Sequence, residues 1–197
     1  MEFKIEELEH IVTEQLSEKR AAHTMRCAIC AKKLAARFGA SEEDAYLAGL
    51  LHDITKELSV ENQLKLCQKH GIILDNVSKE NPALLHAITA SYIAKHDFSA
   101  SDSICQAILY HTTAHVNMTI LDQCVWLADM IEPGRDFPGV SEIRKKAEQD
   151  LSLAVLSGID YTIMHLISQE KMIHPAMLEA RNEILHKRKS LKRGFKP

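Results

Sequence analysis

Aromatic residues and glycines are scarce in this sequence, and their scarcity bears on the fold class. Among 197 residues only 5% are aromatic and seven are glycine, whereas 46% are hydrophobic. A β-sandwich or barrel needs many turns, and an aliphatic composition with few glycines suits packed helices instead. We therefore predict an all-α fold. The length allows a sizeable core without disulfides, so we expect one domain over residues 1–197.

The sequence also lacks a strong net charge and a disulfide pattern, and its first residues do not have the composition of a signal peptide. A formal net charge of −3 excludes a global basic field that would hold nucleic acid, although residues 187–193 are locally basic. Five cysteines, an odd number without a secretory pattern, indicate a reducing compartment. The N-terminus is too acidic for a signal peptide, and no apolar run approaches the length of a membrane span. We expect a cytoplasmic protein that binds neither nucleic acid nor membrane.

Apolar spacing and capping residues predict a series of helices. Signatures of the S-x-x-D kind begin at Ser41, Ser99 and Thr119, and Gly39 and Gly71 mark helix ends. Residues 72–81 are expected to form a connecting loop, and the Pro- and Gly-rich residues 132–139 an ordered loop. The predicted helices cover about 4–17, 17–38, 41–53, 59–71, 82 onwards, 100–110, 119–132, 141–170 with a possible break near Asp150, and 175–189.

Histidine and aspartate recur at the inward positions of these helices. His52 and Asp53 follow the apolar run 45–51, which has the length and composition of a buried helix. His23, His86, His111 and Asp129 lie on four other predicted helices. Any one of these histidines alone is more often an ordinary core or surface residue, but the set points to a metal site. Imidazole and carboxylate together suit iron, manganese, zinc or nickel, whereas magnesium and calcium prefer oxygen ligands.

The ordered pattern H…HD…D resembles the HD-domain superfamily of metal-dependent phosphohydrolases. Further motifs are similar to the bacterial YqeK group of symmetrical diadenosine tetraphosphate hydrolases. One departure is Ala114, where we expect the family to have glycine. The motifs are His23-Thr24-Met25-Arg26, His52-Asp53-Ile54-Thr55-Lys56, Leu84-Leu85-His86, His111-Thr112-Thr113, residues 128–135, Ile173-His174-Pro175 and Ala180-Arg181-Asn182.

The resemblance implies an HD-domain helical bundle with a core over residues 18–135 and C-terminal helices over 141–189 packed on it. It also implies a divalent transition metal, iron with manganese as an alternative, as one or two ions. The implied ligands of the primary ion are His23, His52, Asp53 and Asp129. His86 and His111 either hold a second ion bridged through Asp53 or contact substrate phosphates as cationic donors. The implied catalytic residues are Asp53, His86 and His111.

We further expect a set of substrate-binding residues on both sides of the metal ligands. Lys56 lies about one turn beyond the His-Asp doublet, where its ammonium can reach a polyphosphate oxygen. Arg26 either binds phosphate or orients a carboxylate, and Arg135 is a second phosphate candidate. The resemblance adds the segment 173–175, which would line the nucleotide side of the pocket. The complete expected set is Arg26, Ile54, Thr55, Lys56, Arg135, Ile173, His174 and Pro175.

The expected activity is hydrolysis of diadenosine tetraphosphate, a dinucleoside polyphosphate, into two ADP by metal-activated water. Two alternatives stay open at this point. Another HD-domain phosphohydrolase, such as a nucleotidase or a guanosine tetraphosphate hydrolase, would share the metal ligands and differ in the substrate walls. A non-catalytic nucleotide-binding module would need no complete ligand set. A homodimer through the N-terminal or C-terminal helices also stays open.

Overall fold

Helices form the regular structure in the part of the chain that our computed structural model describes, residues 5–194 with side chains to residue 190. No strand occurs in that range, so the all-α prediction is confirmed. A 3-10 turn, Pro82–Leu84, precedes the sixth helix. The α-helices are α1 Ile5–Gln15, α2 Glu18–Phe38, α3 Glu42–Leu51, α4 Val60–Lys69, α5 Asn76–Glu80, α6 Leu85–His96, α7 Asp102–Leu109, α8 Ile120–Ile131, α9 Val140–Ala147, α10 Leu151–Ser168 and α11 Pro175–Gly194.

Most helix ends lie where the sequence places capping residues. The Ser41 hydroxyl accepts a hydrogen bond from the Asp44 amide, and Thr119 forms a reciprocal capping box with Asp122. Gly39 closes α2 in the left-handed conformation with φ of 84°, which glycine adopts at little cost. Each such cap satisfies amides or carbonyls that the helix itself leaves unpaired.

Two predicted boundaries are wrong. Ser101, not Ser99, caps α7; Ser99 instead has a left-handed φ of 54°. The expected loop over 72–81 contains α5, whose first turn is capped by the Asp75 carboxylate. The break expected near Asp150 is confirmed, because the Asp150 side chain caps the start of α10.

Helix α2 lies at the centre of the fold and packs against α3 and α8. Its contact with α3 is close because small residues face each other. A Cβ atom on Gly49 would lie 2.7 Å from the Cα of Ala28, so α3 could not approach as closely with any larger residue there. This contact brings the end of α3 beside the first half of α2. The division into a core over 18–135 and added C-terminal helices stays a prediction.

Helix α10 is an exception to the expectation that no apolar run approaches the length of a membrane span. Over its 18 residues the mean hydropathy is 1.4, so by length and composition it could cross a membrane. Core helices of soluble proteins pass the same test. One face of α10 packs on α8, where Gly158 lies against Trp126 and Met130. Trp126 is buried in the core.

Candidate metal centre

The His52-Asp53 doublet lies at the C-terminal end of α3, in the interior of the protein. His52 caps the helix and is fully buried, and Asp53 is only 2% exposed. Because the helix ends here, the two neighbouring side chains are able to approach each other: His52 Nε2 lies 3.4 Å from Asp53 Oδ2. The doublet therefore offers an imidazole and a carboxylate to one buried point.

Four imidazoles, His52 of the doublet and three around it, are held by the same kind of hydrogen bond. In each ring Nδ1 lies within hydrogen-bond distance of a backbone carbonyl oxygen or a carboxylate oxygen. Because such an oxygen can only accept a hydrogen bond, Nδ1 must carry the proton. In the neutral ring Nε2 then keeps a lone pair, the form that ligates metals. The Nδ1 bonds join His23 to Glu132 Oε1 (3.1 Å), His52 to Gly49 O (2.7 Å), His86 to Ala83 O (2.8 Å) and His111 to Ile108 O (2.7 Å).

The first cluster consists of His23, His52 and Asp129. Their ligand atoms all lie within 4.8 Å of one another, as the atoms around a single ion do. His23 Nε2 is 3.1 Å from Asp129 Oδ1 and 3.8 Å from Asp53 Oδ2. Among the described atoms, Nε2 of His23 and of His52 are buried without a hydrogen-bond partner. A cation at this point would satisfy both.

The second cluster lies on the other side of Asp53. Asp53 Oδ1 is 3.2 Å from His86 Nε2 and 4.0 Å from His111 Nε2, and the two Nε2 atoms are 3.0 Å apart. Asp53 thus turns Oδ2 toward His23 and His52, and Oδ1 toward His86 and His111. A carboxylate placed in this way is able to bridge two ions.

Comparison with known proteins agrees with this arrangement. The family model described as the HD domain matches residues 20–134, a range that contains both clusters. The chain belongs to the HD-domain family. Its donor set of imidazole nitrogens and carboxylate oxygens indicates a divalent metal.

Several relatives of this HD domain carry a specific name. The symmetrical bis(5'-nucleosyl)-tetraphosphatase of Bacillus subtilis is 36% identical over 168 residues, covering 83% of this chain and 88% of the relative. The enzyme of the same name from Halalkalibacterium halodurans is 33% identical, covering 91% and 96%. In structure, the chain is similar to a predicted HD superfamily hydrolase involved in NAD metabolism from Clostridium acetobutylicum, with a TM-score of 0.91, 33% identity and coverage of 95% and 100%.

Burial and charge set the protonation of the HD-domain residues. Burial alone would raise the pKa of Asp53, but His52 beside it holds that pKa well below its usual range. In turn, burial would lower the pKa of His52, and Asp53 raises it well above the ordinary value. Burial lowers the pKa of His86, and it lowers the pKa of His111 to about 3. His86 and His111 are therefore neutral bases at pH 7.

Three cationic side chains surround the centre. Arg20 Nη1 lies 2.8 Å from Asp53 Oδ2, and Arg135 donates to both the backbone oxygen and the carboxylate of Asp129. Lys56 Nζ is 3.1 and 3.2 Å from the two ring nitrogens of His86. Arg20 was not predicted as a site residue, although its position three residues before His23 places it on the same face of α2.

The predicted substrate residues fall into different environments. Arg26 Nε donates to Glu132 Oε2 at 2.5 Å, and this contact favours an orienting role over phosphate binding. Ile54 and Thr55 are buried, and Thr55 Oγ1 donates to the backbone oxygen of His86. Contact of Ile54 and Thr55 with the substrate stays a prediction, but their burial favours a role in packing beneath the candidate metal ligands. Glu132, at the end of α8, was missed as a site residue.

His174 lies in the segment that precedes α11. Its Nε2 is 3.4 Å from Asp75 Oδ2. It lines a cavity of about 370 Å³ together with Leu84, Thr112 and Thr113, of which the two threonines directly follow His111. Ile173 is half-buried next to it, and Pro175 is the first residue of α11. The segment 173–175 thus shares a cavity with residues that follow His111 in the sequence, and its contact with substrate stays a prediction.

Proposed function

We propose that this chain is a symmetrical dinucleoside tetraphosphate hydrolase that converts diadenosine tetraphosphate into two ADP. The observation that carries the proposal is the position of Asp53 between two histidine clusters, with three cations at the same place. That arrangement suits metal-assisted attack on a highly charged phosphoanhydride. The names of the Bacillus subtilis and Halalkalibacterium halodurans relatives support the specific substrate.

His23, His52, Asp53 and Asp129 would hold the primary ion. When bound, such an ion lowers the pKa of a coordinated water toward neutrality and neutralises phosphoryl oxygens. We propose iron, with manganese as the alternative, because mixed nitrogen and oxygen ligands suit both. Whether the centre holds one ion or two depends on whether the second cluster ligates a metal.

We propose that His86 and His111 ligate a second ion rather than act as cationic donors. Both rings have Nδ1 bonded to a backbone carbonyl, so each presents Nε2 to Asp53 Oδ1. Their lowered pKa keeps them neutral at pH 7, and a neutral imidazole is a metal ligand and not a cationic donor. Asp53 would then contact both ions.

Arg20, Lys56 and Arg135 would bind the polyphosphate. Each lies within hydrogen-bond distance of a group in the centre, so their charges face the place where the phosphates must lie. Charge-assisted hydrogen bonds to phosphate oxygens both orient the chain of four phosphates and offset its repulsion from Asp53 and Asp129. We further propose that the cavity lined by His174 takes one adenosine.

A product assay on diadenosine tetraphosphate tests the function. The protein is assayed as purified, after chelation, and after separate addition of iron, manganese and magnesium. We expect ADP alone, with activity lost on chelation and restored by a transition metal. AMP plus ATP would reject the symmetric cut. No turnover with any metal would reject this substrate in favour of another phosphoester or a non-catalytic nucleotide-binding role.

A further inference from the structure

Glu132 lies directly behind His23, on the side away from the metal centre. It is the C-cap residue of α8, three residues after Asp129, and it is 1% exposed. Its carboxylate accepts from His23 Nδ1 at 3.1 Å and from the Gly134 amide at 2.6 Å, besides the bond from Arg26 Nε. A buried carboxylate with this many donors is fixed in position.

His23 is held differently from the other three histidines of the centre. His52, His86 and His111 donate Nδ1 to neutral backbone carbonyls, whereas His23 donates to a charged carboxylate. A charge-assisted hydrogen bond is about twice as strong as a neutral one. It also increases electron density on the opposite nitrogen, and so makes Nε2 of His23 the better donor to a cation.

Arg26 and Gly134 help to hold the Glu132 carboxylate in place. Arg26 comes from the same helix as His23, one turn further along, and its guanidinium lies against Gly134. A Cβ atom at position 134 would lie 2.5 Å from Arg26 Nη2, so a larger residue there would push the guanidinium out of this position. Residues 132–134 thus form a pocket for Arg26 and present Glu132 to His23. None of these side chains needs to touch the substrate.

We propose that Glu132 is a positioning residue which fixes the tautomer and orientation of His23 and thereby sets the metal affinity of the centre. The proposal rests on the metal site of the proposed function but does not depend on the identity of the substrate. Arg26 acts one step further away, by holding the Glu132 carboxylate. Loss of either residue should weaken metal binding without removing a metal ligand.

The test is the affinity for Mn²⁺ of the full chain, measured by calorimetric titration. Glu132→Gln keeps the shape of the side chain and removes its charge. We expect Mn²⁺ to bind about 10- to 100-fold more weakly than to the wild type. Arg26→Gln should cause a smaller loss. An unchanged dissociation constant in Glu132→Gln would overturn the proposal.

Asp122→Asn is the matched control. Asp122 is a second buried carboxylate of α8 and also contacts a histidine, His115 Nε2 at 3.2 Å, but it lies away from the metal centre. We expect this variant to lose stability and keep its Mn²⁺ affinity. An equal loss of affinity in Asp122→Asn would mean that any disturbance of α8 has this effect, and would reject a specific role for Glu132.

A double-mutant cycle with His23→Gln shows whether Glu132 acts through His23. If it does, adding Glu132→Gln to His23→Gln causes little further loss of Mn²⁺ affinity. Additive losses would contradict the proposal. Because Mn²⁺ affinity is measured without nucleotide, a wild-type protein that binds Mn²⁺ but leaves diadenosine tetraphosphate intact would reject the proposed function and not the role of Glu132.

Discussion

Binding of a divalent metal should raise the thermal stability of the protein, and Asp53→Ala should remove that effect. Asp53 turns one carboxylate oxygen toward each of the two histidine clusters. Without it, each cluster loses the anion that offsets the charge of an ion. The fold should survive, because Arg20 beside Asp53 is partly exposed and its guanidinium can be solvated by water, and because the buried His52 can release its proton once Asp53 is gone.

The size of the effect follows from linkage between binding and folding. A ligand at 100 times its dissociation constant stabilises the folded state by about 2.7 kcal/mol. In a chain of roughly 200 residues, about 1 kcal/mol shifts the melting temperature by about 2–4 °C. The wild type should therefore melt roughly 5–11 °C higher with saturating Mn²⁺ than with a chelator. In Asp53→Ala we expect a shift of less than about 1 °C.

The assay is thermal unfolding followed by circular dichroism, with and without Mn²⁺, at one protein concentration. Helical content at 20 °C should be the same in the variant and the wild type, which separates loss of the site from loss of the fold. A full Mn²⁺-dependent rise in Asp53→Ala would refute the reasoning, because the ion would then be held without the carboxylate between the clusters. So would the absence of any rise in the wild type.

Three single substitutions test other parts of the protein. The folded pKa of His111, about 3, lies below its ordinary value near 6.5, so the stability gained from its neutral form is lost progressively as pH falls from about 6.5 toward 3. Between pH 7.5 and 5.5, urea unfolding should show that the wild type loses about 1.4 kcal/mol more of its free energy of unfolding than His111→Gln does; an equal loss in both would contradict this assignment. Lys56→Ala should raise KM for diadenosine tetraphosphate about tenfold and leave metal content unchanged; the reverse pattern would assign Lys56 to the metal. Gly49→Ala places a methyl group against Ala28 and should lower the free energy of unfolding by about 1–3 kcal/mol in urea; a neutral result would mean that α2 and α3 separate easily.

Local chemistry explains which helix ends were predictable. Serine and threonine caps at Ser17, Ser41 and Thr119 act on amides within three residues, so the sequence alone carries the signal. The same rule selects Ser99 because Asp102 follows three residues later, yet the backbone turns left-handed there and Ser101 becomes the cap. Helix α5 has only five residues and no apolar periodicity to reveal it.

The candidate metal ligands were predictable from the sequence, but the charged residues beside them were not. Buried histidines and aspartates on apolar helices are rare enough to stand out in a sequence. Arg20 and Glu132 do not stand out, because charged residues at helix ends are common on surfaces. Their place in the site depends on how α2 and α8 pack, which brings Glu132 to His23 across 109 residues of chain.

Metal binding at this centre competes with the proton on His52 and with the guanidinium of Arg20. Asp53 raises the pKa of His52, so at acidic and neutral pH a proton favours the nitrogen that a metal would need. Arg20 lies on Asp53 Oδ2, the oxygen that faces His23 and His52. A divalent ion must displace the proton and share the carboxylate with the guanidinium. Acidic pH therefore favours loss of the metal, and the affinity of the centre depends on these competing charges as well as on its ligands.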